Sequence, residues 1–138
     1  MAWTIVVTLE KELPEAAAAY LKAKPGKALA RESDRLDTAA RSRGVTPPTS
    51  LLSESRESII AQFKEAGFDP EKMRIPAEQW FPASEGLRTV RALAEHVTAH
   101  LNNFKQPNPI LRDLKAAEAL LAQAEAAGVR FHLTKAGE

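Results

Sequence analysis

Two alternating segments, one near each end of the chain, constrain its fold more than anything between them. Trp3-Thr4-Ile5-Val6-Val7-Thr8-Leu9 alternates apolar and polar residues, and so does Val129-Arg130-Phe131-His132-Leu133-Thr134. Both are rich in the β-branched and aromatic residues that suit a half-buried pleated surface. A lone strand leaves its N–H and C=O groups without partners, so the two segments are expected to meet in one small sheet. Antiparallel pairing is the commoner kind, although the long intervening stretch permits either. In the first segment Trp3, Ile5, Val7 and Leu9 share a face, with Thr4, Val6, Thr8 and Glu10 opposite. In the last, Val129, Phe131 and Leu133 oppose Arg130, His132 and Thr134. Met73-Arg74-Ile75 can add a short third strand.

Everything between reads as helix or loop. Pro14 suits a helix start, Glu15 to Leu21 is strongly helix-favouring, and Pro25-Gly26 stops that helix. A second helix is expected over residues 27–43, with Leu29, Leu36, Ala39 and Ala40 inward and Gly44 at its C-terminal end. Residues 45–50, with Pro47-Pro48, are loop. Ser53 or Ser55 can cap a third helix carrying Ile59, Ile60 and Phe63 and ended by Gly67. Phe68 to Trp80 is irregular, with one turn possible over residues 77–80. From about Ser84 to Leu101, the residues Leu87, Val90, Ala94, Val97 and Leu101 form one helical face, leaving Arg88, Arg91, Glu95 and Thr98 for solvent. Asn108 with Pro109 starts a last helix lined by Ile110, Leu114, Ala117, Leu121 and Ala124 and capped by Gly128.

A chain of 138 residues fits one domain, here residues 1–138, with a core that needs no staples. Cysteine is absent, which removes disulfides, thiolate metal sites and a cysteine nucleophile. The first residues lack a basic segment before an apolar run, so no secretory leader is expected. No apolar run approaches the roughly 20 residues that span a bilayer. Net charge is +1, from 19 basic and 18 acidic residues. Dedicated nucleic-acid binders are usually far more basic, because phosphate contacts supply most of their affinity.

Three constellations could carry chemistry. His96 and His100 stand four apart on the best helix, the spacing that brings two imidazoles to one metal ion, and His132 is the natural third ligand. Helical phase puts them about 130° and 90° from the apolar face, however, at its boundary or beyond. A second is residues 36–46, whose Gly44-Val45-Thr46 ending is similar to the turn of a helix-turn-helix module, with Arg31, Arg35, Arg41 and Arg43 nearby. Pro47-Pro48 stand where its recognition helix should begin, and phase splits the arginines. The third is Trp80-Phe81, which either anchors a partner or, as favoured, plugs the core under a long loop. A nucleophile elbow, a phosphate-binding loop and a dinucleotide fingerprint are missing. Gly86, in the first turn of the best helix, reads as a place of close packing, against Trp80, or as a weak anion site.

Several segments together resemble an uncharacterised family of small bacterial proteins. They are Leu9-Glu10, Gly26 to Ala30, Leu36-Asp37, Gly44-Val45, Trp80-Phe81, Glu85 to Leu93 and Val129 to Leu133. The resemblance implies a bacterial, single-domain, cytosolic protein and brings no catalytic residue with it.

The expected fold is therefore α+β, about five helices packed on a two- or three-stranded sheet built from the terminal strands. The expected function is a non-catalytic protein-interaction module of a bacterial cytosol, needing no cofactor. Its candidate surface is Thr4, Thr8, Arg130 and His132, with Val6 and Thr134 on the same sheet face, and Trp80 and Phe81 of the proline-flanked loop are further candidates. The partner is expected to be a protein, a second copy pairing along a sheet edge included, with no membrane and no nucleic acid. The alternatives are a DNA-binding protein using residues 27–60 and a metal-dependent hydrolase using His96, His100 and His132.

Overall fold

Strands β1 (Trp3–Leu9) and β2 (Phe131–Gly137) do pair, and they pair antiparallel. The structure, a computed structural model, describes residues 3–54, 56–72, 74 and 78–137. Between the strands lie α1 (Pro14–Lys22), α2 (Lys27–Arg31), α3 (Ser33–Ser42), α4 (Arg56–Glu65), α5 (Ala83–Ala99) and α6 (Pro107–Ala127). The architecture is the expected α+β arrangement of helices on a minimal sheet of terminal strands. Met73 and Ile75 of the suggested third strand fall outside the described residues, as do Ser55 and Ala77; Glu78 to Trp80 are irregular.

Register follows the alternation. Val7 stands opposite Leu133 and Leu9 opposite Phe131, while Thr8 faces His132 and Val6 faces Thr134. Ile5, Val7, Phe131 and Leu133 are buried on the helix side. Both edges are covered at their centres, which removes the unpaired backbone that invites another strand. On the β1 edge, the Ile5 amide donates to Gly26 O at 3.0 Å and the Val7 amide to the Tyr20 hydroxyl at 2.9 Å. On the β2 edge, Phe81 and Phe131 exchange backbone bonds of 2.7 and 2.9 Å, and the Ser53 amide donates to Leu133 O at 2.9 Å.

Helices α5 and α6 lie against one another and against the sheet. All five inward residues expected of α6 are buried, and Gly128 ends the helix at φ +69°. The helix starts at Pro107 rather than at Asn108 and Pro109, so both prolines occupy its first turn, where no intrahelical N–H is needed. In α5 the buried face is Ala83, Gly86, Leu87, Thr89, Leu93 and Val97, with Val90 and Ala94 half-buried. Its centre is thus Leu93, and Leu101 is exposed, because the helix ends at Ala99 and a 3₁₀ turn carries Leu101 out of phase. Arg88, Arg91, Glu95 and Thr98 face solvent as expected. Gly86 is a point of close approach, to Phe131 instead of Trp80: a Cβ there would lie 2.5 Å from Phe131 Cζ.

The helix expected over residues 27–43 is two helices broken at Glu32. There the backbone leaves the helical region (φ −114°, ψ 27°) and the carboxylate is buried. Its Oε1 accepts the Lys105 amide at 2.7 Å, and Oε2 accepts the Gln106 amide at 3.4 Å. Two more buried carboxylates act in the same way. Asp113 accepts the Gly26 amide at 3.0 Å, and Asp37 accepts the Thr49 amide at 3.2 Å and the Thr49 hydroxyl. Each ties its own segment to a backbone amide of another through a charge-assisted bond, which is what makes its burial tolerable.

Candidate functional site

The second face of the sheet, away from the α5–α6 core, is where chemistry-bearing side chains meet. Alternation puts Thr4, Val6 and Thr8 there from β1, and His132 and Thr134 from β2. The segment before α5 folds over this face: Trp80 tilts on the His132 ring with centroids 4.5 Å apart, and Glu78 reaches His132 Nε2 at 2.7 Å. Helix α4 brings Ser58 and Gln62, and Glu54 precedes it. Together they wall a groove of about 670 Å³, rimmed by Trp3 and Lys135.

A chain of hydrogen bonds runs through it. A carboxylate can only accept, so His132 Nε2 donates to Glu78, while Nδ1 lies 3.1 Å from the carbonyl oxygen of Leu133. The Thr134 hydroxyl lies 3.3 Å from that nitrogen, and Thr8 Oγ1 lies 2.7 Å from Thr134 Oγ1. Carboxylate, imidazole and hydroxyl in this order are the parts of a nucleophilic triad. Here the imidazole is only 2% exposed, and the two hydroxyls satisfy one another. His132 therefore acts as a strut fixing Glu78 and Thr134. It is not the surface residue that alternation alone implied, because Trp80 and Glu78 cover it.

The other expected surface residues divide. Thr8 and Trp80 join the His132 cluster, and Thr4 lies farther along the face, its hydroxyl 3.5 Å from Ala136 O. Arg130 is held by Glu10 in a two-pronged ion pair, Nε to Oε1 at 3.2 Å and NH2 to Oε2. That guanidinium holds the Glu10 carboxyl below its usual range, and its own proton is bound more tightly in return. Phe81 packs on Phe131 with centroids 6.3 Å apart and belongs with the core. Glu78, Glu54 and Gln62 carry no signal in the sequence, since none lies in a periodic segment that points at the sheet.

The three histidines occupy two separate settings. His96 and His100 stack with centroids 4.6 Å apart, and Arg43 donates from Nε to His96 Nδ1 at 3.2 Å, while His132 sits under Trp80. Burial, followed by the His100 and Arg43 charges, pushes the His96 pKa below its ordinary value. No group of three or more His, Cys, Asp or Glu that could hold a metal ion occurs among the described residues.

The arginines expected of a DNA-binding segment are likewise dispersed. Arg35 pairs with Glu32 at 3.3 Å, and Arg43 turns to His96 and Glu95. The stretch after α3 does not lead straight into a recognition helix. It forms a 3₁₀ turn over Pro48–Leu51, then a bridge from Leu52 to Leu133 in β2, and α4 begins only at Arg56.

No helix among the described residues is long and apolar enough to cross a membrane. Compared with known proteins, the chain matches no family model, no curated protein and no solved structure.

Proposed function

We propose that this chain is a non-catalytic protein-interaction module of a bacterial cytosol, and that it receives its partner in the groove over the second face of the sheet. The observation that supports this reading is the state of the groove's polar groups. His132, Thr134, Thr8 and Glu78 are consumed by one another, so what remains open is a rim: the Trp3 indole, 48% exposed, and the Glu54 carboxylate, which takes one bond, from Gln62. Lys135 already sits 5.2 Å from the indole centroid, a sign that the ring accepts a cation. An exposed indole and a carboxylate lining one groove suit a protein segment that carries Lys or Arg.

The test is affinity capture from the native host, followed by mass spectrometry, with the wild-type chain and a Trp3→Ala, Glu54→Lys variant. Both positions lie on the rim, so the variant keeps its fold. The reading requires a protein that the wild type recovers and the variant loses. Capture indifferent to the substitutions, or a stoichiometric small molecule with no protein partner, refutes it.

A further inference from the structure

Helix α1 is short, alanine-rich and poorly covered. Of its nine residues only Tyr20 is buried, and isolated helices shorter than about 12 residues are marginal in water. With Ala18 taken as the centre of the open face, Glu15 and Lys22 lie about 60° and 40° to one side, and Pro14 and Leu21 about 40° and 60° to the other. Tyr20 points about 160° away, into the protein. Leu21 is 64% exposed, more than Trp3, Phe68 or Leu101, the other large apolar residues in solvent. Beside it lies a groove of about 430 Å³ lined by Leu9, Leu13, Pro14, Ala17 and Leu120. Glu15 and Lys22 make no ion pair among the described residues.

We propose that α1 is the contact surface between two copies of this chain, packed antiparallel about a two-fold axis. A two-fold axis normal to the plane of both helices keeps each side of α1 against the same side of its copy while reversing direction. Glu15 then meets the partner's Lys22, and Lys22 the partner's Glu15. On the other side, Leu21 enters the groove of the partner at Leu13, Pro14 and Ala17. At the crossing, Ala18 meets its own copy, and a methyl group there lets the helix axes approach to about 8 Å. The order along the helix, acid then alanine then base, complements its own reverse, which selects a second copy over any uniformly charged partner. The face is well below the roughly 1,200 Å² of a standard interface, so the dimer is weak, with a dissociation constant on the order of 100 µM.

Sedimentation equilibrium from about 5 µM to about 1 mM brackets that affinity. Monomer–dimer exchange is the expected result. Glu15→Lys alone and Lys22→Glu alone each set like charges together at two symmetric places and should weaken association about tenfold. The double variant restores both pairs with reversed sign and should recover it to within about threefold. Each single swap also opposes the α1 dipole, so Leu21→Asn, which leaves that dipole alone, must weaken the dimer too, with the helical circular-dichroism signal unchanged. A monomer at every concentration, association indifferent to Leu21→Asn, or a double swap no better than the singles while its helical signal is intact overturns the proposal.

Discussion

Gly86→Ala sets two effects against each other, and their magnitudes decide the sign. Alanine is favoured over glycine inside a helix by up to about 1 kcal/mol, so an open site would gain. This site is closed. The new Cβ would lie 2.5 Å from Phe131 Cζ, 2.8 Å from Phe131 Cε1 and 3.0 Å from Leu121 Cδ1. The Phe131 ring is fully buried, and its backbone is bonded to Phe81 on one side and paired with Leu9 on the other, so it cannot move by the ångström that relief demands. Overpacking of this kind costs about 1–3 kcal/mol, and three contacts put it near the upper end. We expect a net loss of about 1–2 kcal/mol, or roughly 3–10 °C in Tm. Urea melts measure it directly. In a Phe131→Leu background the ring edge is gone, and Gly86→Ala should there become neutral or stabilising. If Gly86→Ala stabilises the otherwise wild-type chain, the close approach of α5 to β2 is wrong.

Two further outcomes follow from polar groups, one buried and one half-buried. Asp113→Ala strips the Gly26 amide of its acceptor in a buried place and should cost about 1–3 kcal/mol in urea melts, while Asp113→Asn, which keeps a carbonyl oxygen, should cost less; equal losses would show that the tether is not the reason. His96 holds its proton less tightly folded than unfolded, so its contribution to stability is fully present above pH 6.5 and is lost as pH falls below that and through the lower folded pKa. His96→Gln should flatten the fall in stability between about pH 7 and pH 5 relative to the wild type, and parallel pH profiles would refute the assignment.

What the sequence discloses and what it hides divide along one physical line. Period-two alternation in Trp3–Leu9 and in residues 129–134 is a local property, and it sufficed to pair the strands and to assign their faces. The long 3.6-residue period of α6 likewise marked five residues from Ile110 to Ala124 that are all buried, and missed only the flanking Asp113 and Leu120. In α5 the same reasoning found Leu87 and Val97 but missed Leu93, because the end at Ala99 cannot be read from a pattern that runs on to Leu101. The tethers were invisible. Glu32 to Lys105, Asp37 to Thr49 and Asp113 to Gly26 join a carboxylate to an amide in another segment, and no spacing announces such a bond. Site residues fared alike: Thr8 and His132 follow from alternation, whereas Glu78 reaches His132 from an irregular stretch and is known only once the chain has folded.

Pairing β1 with β2 also fixes an order of events during synthesis. Trp3 stands opposite Gly137, so β1 completes its hydrogen bonds with a strand synthesised only after helices α1 to α6. At about 5–20 residues per second the Ile5-Val6-Val7 stretch waits on the order of ten seconds for its partner. Helices can form and pack in that interval, since their bonds are local, but the sheet cannot. Closing so long a loop adds little further entropy cost, because that cost grows only with the logarithm of length. Strand β2 thus works as a latch: a nascent chain that has gathered helices α1 to α6 still shows a strand-shaped apolar segment until residues 131–137 are free.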